Sequence, residues 1–549
     1  MREVVHSRIM AKEQEVAMAE RLAAEGGIAS DESAVAEPEI EADEGSAEEP
    51  EIEPVESAAA EGNRVEEGCP IEMGICGPRC GRHLHNALYG SDEKPVCLMH
   101  SKDPRKQSGP LFEAFRREFE RILEEARDGE AHFERFVFPL FNFIGRIFQA
   151  VCRFEEAIFA HGASFYSATF TQKAIFWKVT FSMRAEFRGV TFTQDAYFNE
   201  ATFMQQVNFV GTAFKQDGDF IETTFMQDAN FREATFMRDA YFGSVIFTQA
   251  ARFVDTEFRG KADWVKSRFL DRAEFRRTKF NPQIEGEPSA VFELASFSKP
   301  SEIVFDDVDL SRSLFHNCDV SQLWFTSSVR WGTRKGNRGL AVFEETIDLE
   351  QNYAWGLKRD RQRDYRAVAQ IYQQLKKNYD SRLDYWTANE FHFGEMEMKR
   401  LAGPTDGWFL RQRQWWHCNL SFVAWYKYAS DYGNSYGKPL VWLLGTLLAA
   451  ALLFPITGLE LKQAISASSA SVTYSSIWNP QDSWTNNFWT EAKLIGKSGI
   501  TAIDTATFQR TPEYTPVYPR GRVVAIVETL LTSSLFALFL LAIRRQFRR

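Results

Sequence analysis

Phenylalanine recurs along the middle of the chain with a spacing that alternates between five and six residues. The alternation runs without interruption from Phe154 to Phe280, with Trp264 at one of the positions. Phe143 and Phe148 are in phase before it, which gives 26 positions on an 11-residue period. An α-helix would turn successive rings by about 140° or 240° and could not bury them on one stripe, whereas a strand needs even spacings. The pattern therefore predicts a solenoid with one inward ring on each short face.

A small residue stands two positions before each ring. Alanine occupies 13 of these positions between 157 and 273, and Gly, Ser, Thr, Val or Cys occupies the others between 152 and 278. A narrow interior needs a small side chain beside each large one. The residues between these pairs are mostly charged residues, Gln or Thr, as expected for corners in water. We therefore interpret the rings as core filling and not as part of a ligand site.

A second block follows the alternating one. Residues 281–289 contain two prolines and a glycine, and they predict a break between the blocks. After a pair at Phe292 and Phe297, the spacing becomes a plain five residues. The positions of this block are Phe305, Leu310, Phe315, Val320 and Phe325.

These units resemble the pentapeptide repeat family, in which a central Leu or Phe follows a small residue by two positions. The resemblance covers residues 143–326 and implies a right-handed quadrilateral β-helix. The sixth residue in every second unit departs from the family's plain rule, so each predicted coil is longer by two residues than a coil of four plain units. Some members imitate the DNA double helix with an acidic outer face. Residues 143–280 hold 16 acidic and 18 basic side chains, so we expect no such mimicry here.

The net charge of −11 is concentrated at the start of the chain. Residues 1–68 carry 20 acidic and 5 basic side chains among many Ala and Ser residues, which predicts a disordered acidic tail. The rest of the chain is close to neutral, so we expect no nucleic acid as a partner. Residues 1–27 lack the apolar run of a secretory signal, which predicts that the bulk of the protein stays in the cytoplasm.

Cysteine and histidine cluster after the tail, in a segment with many glycines and few apolar residues. Such a segment cannot fold on a core of its own, and a structural zinc ion would supply the missing stability. Cys97 and His100 have the spacing of a zinc knuckle and are the first two predicted ligands. Cys80 and then Cys69 are favoured for the other two places, with Cys76 as the alternative.

Two other interpretations of the cluster remain open. His83 and His85 could compete as ligands, although neither has a partner at a comparable spacing. The cysteines could also be free thiols on a loop. The segment resembles the Cys-rich lead-in, ending in Cys-x-x-His, of some bacterial members of the family. The resemblance implies a closed structural metal site without catalysis.

Two apolar stretches are long enough to cross a bilayer as helices. Pro439–Leu459 contains no charge, and Val523–Ile543 contains only Glu528, for which snorkelling to the interface is the simpler explanation. An arginine cluster at the chain end follows the second stretch. The outer flanks carry six Lys or Arg residues and the intervening loop four, which predicts both termini inside. We expect a bacterial inner-membrane protein with residues 460–522 as an outside loop.

Two amphipathic patterns lie between the solenoid and the first span. Apolar residues at 365, 368, 371, 372, 375 and 379 predict one helix, and a second runs from about Leu383 to Leu401. The pair resembles a tetratricopeptide hairpin, which would dock a partner or pack on the end of the solenoid. Trp415–Tyr432 is aromatic and weakly charged, which predicts an interfacial helix that leads into the membrane.

The predicted parts are the tail (1–68), the Cys/His segment (69–105), a helix and solenoid lead-in (106–142), the β-helix (143–326), a connector (327–358), the helical hairpin (359–403), the interfacial helix (411–437) and a two-helix membrane module (438–549).

The sequence contains no Gly-rich phosphate loop, nucleophile elbow or paired carboxylates on a shared frame, so we expect no enzyme. The favoured function is a membrane-anchored cytoplasmic scaffold that binds the lipid bilayer and an unidentified protein. The alternative is a degenerate two-helix channel, which some family members resemble at this end and which would have to form a homo-oligomer. The loop lacks the carbonyl ladder of a potassium filter, so selective conduction is not expected.

Overall fold

A computed structural model of the chain describes residues 69–73, 79–85, 92, 95–281, 286–334, 339–346, 364–402, 416, 418–461, 473, 484–507, 514–516 and 519–546. The tail predicted for residues 1–68 lies outside them. The chain divides into two compact units. The first contains residues 1–333 and 342–360, and the second contains residues 334–341 and 361–549.

Four parallel sheets form the four walls of a β-solenoid in the first unit. As far as Ile303–Asp306, successive strands along the chain belong to successive walls, and each strand pairs with the strand one coil later. The walls hold nine, eight, nine and seven strands, which makes about nine turns. The predicted four-sided β-helix is therefore present.

The first wall contains Glu130–His132, Val151–Arg153, Ala174–Ile175, Ala196–Tyr197, Gly218–Asp219, Ala240–Tyr241, Ala262–Asp263, Ala290–Val291 and Ser313–Leu314. The second contains Val137–Phe138, Ile158–Phe159, Thr180–Phe181, Thr202–Phe203, Thr224–Phe225, Ile246–Phe247, Arg268–Phe269 and Ser296–Phe297. The third contains Phe141–Asn142, Ala163–Ser164, Ala185–Glu186, Val207–Asn208, Ala229–Asn230, Ala251–Arg252, Ala273–Arg276, Ile303–Asp306 and Trp324–Phe325. The fourth contains Ile147–Phe148, Thr169–Phe170, Thr191–Phe192, Ala213–Phe214, Thr235–Phe236, Glu257–Phe258 and Lys279–Phe280.

The helices of the first unit are α1 (Gly109–Ala126) and α2 (Phe343–Thr346), with 3₁₀ turns at Pro104–Gln107 and Pro300–Glu302. Those of the second are α3 (Tyr365–Ser381), α4 (Tyr385–Leu401), α5 (Phe422–Ser430), α6 (Gly437–Thr457), α7 (Trp484–Ala506) and α8 (Pro519–Gln546). The remaining strands are Gly332–Thr333, Leu340–Ala341, Leu459–Leu461 and Tyr514–Pro516. The predicted connector, residues 327–358, thus contains two short strands and α2.

The coil length follows the predicted spacing. In the alternating block Phe181 pairs with Phe203, which lies four rings, or two full periods of the repeat, further along the chain. In the plain block Phe305 pairs with Phe325, which lies four plain units further along. The extra residues of the predicted break are accommodated within a single coil, where Ala262 pairs with Ala290.

In the alternating block, residues with a left-handed backbone conformation mark the five-residue corners. A residue with positive φ stands two positions after every second ring, as in a type II turn, and the chain then reaches the next ring in five residues. At the other corners of this block, which lack such a residue, the chain reaches the next ring in six residues. The series is Gly145, Glu156, Ser167, Lys178, Gly189, Glu200, Gly211, Glu222, Glu233, Ser244, Asp255, Lys266 and Arg277.

Each ring stacks on the ring one coil later. The centroids of Phe187 and Phe209 lie 4.9 Å apart, as do those of Phe209 and Phe231, with nearly parallel planes. Rings from opposite walls meet edge to face across the interior, as Phe198 of the first wall and Phe209 of the third do at 5.6 Å. Aromatic pairs of both kinds add about 0.5–1.5 kcal/mol beyond the area they bury. The rings therefore form four continuous columns that fill the interior.

Polar residues at the small inward positions are satisfied by the coil before them. The hydroxyl of Thr212 donates to the carbonyl oxygen of Phe187 at 2.7 Å, and that of Thr223 donates to the carbonyl oxygen of Phe198 at 2.7 Å. Thr256, Thr278 and Ser267 do the same. In the alternating block, a hydroxyl at this position therefore does not leave an unpaired polar group in the core.

The solenoid begins at Glu130, about half a coil before the predicted residue 143. Phe133 stacks on Phe154 at 5.1 Å, and Phe138 stacks on Phe159 at 4.5 Å. The alternating rule missed these rings because the first coil keeps a plain five-residue spacing.

Helix α2 closes the C-terminal end of the solenoid. The backbone amide of Phe315 donates to the carboxylate of Glu344, whereas amides in earlier coils donate to a carbonyl of the next coil. Burial raises the pKa of Glu344 to about 7. Phe343 packs with Val291 and Leu314. A side chain thus replaces the missing coil at this edge.

Helices α3 and α4 of the second unit form the predicted hairpin. Asp364 and Asp384 cap their N-termini by accepting hydrogen bonds from backbone amides. A Cβ atom on Gly394 would lie 2.5 Å from Cε1 of Tyr372, so glycine permits the close approach of the two helices. Helix α5 lies within the range predicted for the interfacial helix.

Two described helices are long and apolar enough to cross a membrane, Gly437–Thr457 and Pro519–Arg545. They correspond to α6 and most of α8, close to the predicted spans 439–459 and 523–543. The two helices pack together. Leu459–Leu461, which follows α6, pairs antiparallel with Tyr514–Pro516, which precedes α8.

The predicted outside loop, residues 460–522, contains a helix, α7, that was not predicted from the sequence. Leu494, Ser498 and Thr501 form a buried stripe at helical spacing. Ala502 packs with Phe454 of α6, as part of a small apolar cluster. The sequence hid this helix because charged residues interrupt its hydrophobic pattern.

The ring columns predict the effect of two changes at one position. Phe209→Asp places a charge among stacked rings at 0 % exposure, and we expect the loss of several kcal/mol to unfold the solenoid. Phe209→Leu keeps an apolar side chain and should cost about 1–2 kcal/mol. Thermal unfolding of the two variants and the parent checks this. An Asp variant that melts like the parent would show that this ring does not face the core.

Candidate metal centre

Backbone pairing brings two of the predicted cysteines together. The amide of Cys69 donates to the carbonyl oxygen of Arg82 at 2.8 Å, and the amide of Cys80 donates to the carbonyl oxygen of Ile71 at 2.7 Å. The amide of Gly81, at a φ of 63°, donates back to Cys69. Cys69 and Cys80 therefore lie on neighbouring extended segments, although ten residues separate them.

A tight turn supplies the other two predicted ligands. The amides of His100 and Ser101 both donate to the carbonyl oxygen of Cys97, at 3.1 and 3.0 Å. This turn brings the sulfur of Cys97 within 3.1 Å of Nδ1 of His100. The Cys-x-x-His spacing thus produces the local geometry that a knuckle requires.

The four side chains converge on one point. Sγ of Cys69 lies 3.4 Å from Nδ1 of His100, and Sγ of Cys80 lies 3.8 Å from Sγ of Cys97. All four ligand atoms lie within 4.8 Å of one another. A tetrahedral ion bound through sulfur at about 2.3 Å and nitrogen at about 2.0 Å separates its ligand atoms by roughly 3.5–3.8 Å. The arrangement therefore fits a metal ion.

The imidazole of His100 is oriented by the first coil of the solenoid. Its Nε2 lies 3.1 Å from the carbonyl oxygen of Glu134, so Nε2–H donates there and Nδ1 faces the sulfurs. Burial lowers the pKa of His100, but hydrogen bonds to Cys69 and Cys80 outweigh burial and raise it to about 9. His100 is 6 % exposed.

The three thiols do not ionise equally without a cation between them. Hydrogen bonds from Cys69 and Cys97 hold the pKa of Cys80 far below its usual range. Hydrogen bonds to Cys69 and Cys80, together with burial, raise the pKa of Cys97 far above it. A divalent cation removes this conflict because it binds all three as thiolates.

Two basic residues, Arg82 and Lys106, lie beside the cluster. Neither was identified from the sequence as part of the site. Arg82 donates from its guanidinium to Sγ of Cys80 at 3.1 Å and to Glu118 of α1 at 2.7 Å. Lys106 is 1 % exposed and donates to the carbonyl oxygen of Leu98 at 3.1 Å. Burial lowers the pKa of Lys106 to about 7. The only signal in the sequence was that Arg82 follows Cys80 by two positions.

The other candidate ligands take no part in the described cluster. His85 contacts a carboxylate oxygen of Asp103 at 2.8 Å, and His83 is exposed. Cys76, the alternative ligand, lies outside the described residues. The described part of the chain contains one group able to hold a metal, and its four members are Cys69, Cys80, Cys97 and His100.

The metal segment and α1 together cover the N-terminal end of the solenoid. The amide of Val137 donates to the carbonyl oxygen of Met99 at 2.9 Å. Phe119 of α1 stacks on Phe133, the first ring of its column, at 4.7 Å, and Phe115 meets Phe138 at 5.5 Å. The first coil is therefore closed by residues that precede it in the chain.

Comparison with known families gives one match. The family described as pentapeptide repeats (9 copies) matches residues 154–202, 176–222 and 198–246. Neither the comparison with curated proteins nor that with solved structures gives a match.

The cluster predicts opposite results for two cysteine variants of the full chain. Cys97→Ser removes one of the four converging ligands and should abolish binding of about one metal ion per chain. Cys76→Ser should leave the metal content unchanged. Mass spectrometry of metals in the purified proteins, with total protein measured in parallel, decides this and identifies the element. Full metal content in the Cys97 variant, or its loss in the Cys76 variant, would refute the assignment.

Proposed function

Because residues 154–246 form pentapeptide repeats within a β-solenoid, we propose that this protein is a membrane-anchored interaction scaffold without catalytic activity. The observation that carries the proposal is that side chains fill the interior of the solenoid. Aromatic rings, with Leu310 and Val320 at the C-terminal end, fill the solenoid from end to end, so its outer walls are the surfaces left for a partner. Rigid walls of this kind are suited to binding another protein.

The charges on the outer walls are largely paired between coils. Arg277 contacts Asp255 at 2.6 Å, and Lys173 contacts Asp195 at 3.0 Å. Such exposed pairs contribute little to stability. They leave a surface without a strong single-sign field, which favours a protein partner over nucleic acid.

A groove on the third wall is the best candidate docking surface. It encloses about 520 Å³ and is lined by residues of the first three coils. Leu140, Ile144 and Met183 border it and are 63 %, 54 % and 51 % exposed. Gly162 and Ser164 keep the lining small at its centre. Exposed apolar side chains beside a concave floor are typical of protein interaction sites.

Helices α6 and α8 would supply the anchor. We propose that both cross the bacterial inner membrane and that both termini lie in the cytoplasm. Arg544 and Arg545 at the end of α8, together with Lys438 at the start of α6, support this orientation. The solenoid and the metal centre would then be presented to cytoplasmic partners.

The metal proposed for the Cys/His cluster is zinc. Three thiolates and one imidazole in a closed tetrahedral set match structural zinc sites, and no described ligand position is left open for a substrate. Its role would be to hold the segment on the first coil.

A double change in the groove tests the scaffold function. Leu140→Glu with Met183→Glu places charges where a partner's apolar surface would dock, and it should lower the yield of a cross-linked partner at least about tenfold, equivalent to ~1.4 kcal/mol. Leu294→Glu, on an exposed residue outside the groove lining, is the matched control. The protein is cross-linked in membranes and then purified in mild detergent. Equal yields from the double variant and the control would refute docking in the groove.

One observation favours the alternative function, a channel. Glu528 is 4 % exposed on a buried stripe of α8 with Thr532 and Leu535, and no described residue hydrogen-bonds its carboxylate. A snorkelling side chain would instead reach the interface. A buried acidic group in a membrane helix is often functional, so this residue is the place to test conduction.

The scaffold function predicts no ion-selective conductance from the protein in planar bilayers. The described helices present neither a ring of carbonyls nor a continuous polar path along α6 and α8. Single-channel recording of the reconstituted full chain checks this. Reproducible current steps that Glu528→Ala abolishes would establish the channel instead.

A further inference from the structure

The turn between α3 and α4 exposes two large apolar side chains. Leu383 is 71 % exposed and Trp386 is 74 % exposed. Leu383 has a φ of 65°, a conformation that is costly for a residue with a branched side chain. The helices of the hairpin bury most of their other apolar residues, among them Tyr372 and Phe391. The turn therefore carries a small apolar tip, defined here as Leu383 and Trp386.

The hairpin is attached to the ends of both membrane helices. Arg545, in the last turn of α8, donates from Nε to the side-chain oxygen of Asn389 at 2.7 Å. It also donates to the carbonyl oxygen of Tyr432 at 3.0 Å. Asn434, three residues before α6, donates to the carbonyl oxygen of Asn389 at 3.4 Å. Asn389 thus marks where α4 meets the start of α6 and the end of α8.

A second set of contacts holds α4 against the segment that leads into α6. Glu397, about two turns after Asn389, accepts hydrogen bonds from Lys427 of α5 at 2.8 Å and from Tyr432 at 2.9 Å. Arg400 pairs with the same carboxylate. Asn389 and Glu397 thus both hold α4 beside the segment that leads into α6.

The tip lies close to Asn389, the residue that contacts Arg545 of α8. Trp386 precedes Asn389 by three residues, or about 4.5 Å along the helix axis. Helix α5, which contacts both membrane helices, also exposes aromatic side chains. Phe422 is 93 % exposed and Tyr428 is 51 % exposed. Nε1 of Trp442, in the second turn of α6, donates to the carbonyl oxygen of Tyr428.

We propose that the hairpin tip inserts into the boundary between the headgroups and the acyl chains of the bilayer, on the side where α6 begins and α8 ends. The proposal rests on the proposed membrane anchoring. Trp and Leu suit this boundary because an indole buries its ring while its N–H meets water or headgroups. Lys438 and Arg544 are exposed at the same level, where lipid phosphates lie. The hairpin is thereby a third membrane contact, which orients the second unit against the bilayer.

Photo-cross-linking of the full chain to lipid tests this contact. The photoreactive amino acid p-benzoylphenylalanine replaces Trp386 in one sample and Gln370 in the control, where Gln370 is exposed on α3 about 16 Å from the turn. Both proteins are placed in nanodiscs of phosphatidylcholine and phosphatidylglycerol and irradiated. Intact mass spectrometry should detect lipid adducts at position 386 and no signal above background at position 370.

Extraction of native membranes with alkaline carbonate separates the two ways in which the experiment could fail. If the protein stays in the membrane but position 386 gives no lipid adduct, the tip proposal is wrong and the anchoring stands. Equal adducts at positions 386 and 370 would also overturn the proposal, since the contact would not be specific to the tip. Release of the protein by carbonate would refute the membrane anchoring, and the tip proposal with it.

Discussion

Stacking of each aromatic ring on the ring one coil later is the interaction on which the solenoid depends. Each wall contributes one ring per coil to the interior. The two faces of a ring are therefore covered by the rings of the coils before and after it. The stack fixes the register of the strands, and the register fixes which residues reach the corners. Residues with positive φ occupy alternate corners of the alternating block, and the length of each coil there is two periods of the repeat. These constraints position the outer walls. They do not restrict the outward side chains, whose sequence is free to vary.

A stack of identical coils has no natural end, and an open end would expose unpaired backbone groups and the face of a ring. At the C-terminal edge, the carboxylate of Glu344 receives an amide that would otherwise need another coil. At the N-terminal edge, Phe119 covers the first ring, and Met99 supplies a carbonyl to the first coil. Met99 lies inside the Cys97–His100 turn, so the Cys/His cluster contains the group that closes this edge. We therefore regard this cluster as part of the solenoid's architecture.

The sequence predicted the features that depend on short spacings. It did not predict the features that depend on contacts between residues distant in the chain. Ring spacing predicted the coil length, because one residue too many would turn a side chain outward. The spacing of Cys97 and His100 predicted their proximity, because one turn joins them. The sequence favoured Cys80 and Cys69 as the other two ligands, but their spacing alone left Cys76 as an alternative, since strand-like pairing with Arg82 and Ile71 is what brings them together. Helix α7 was missed because its buried stripe is partly polar and depends on contact with α6.

Hydrogen–deuterium exchange of the full chain, with the metal bound and after chelation, tests most directly whether the metal centre closes the solenoid. The account predicts that chelation accelerates exchange in the first coil, residues 130–148, including the amide of Val137 that pairs with Met99. The central coils, residues 196–247, should stay protected, because their rings remain covered on both faces. Unchanged exchange in the first coil after verified metal removal would contradict the account.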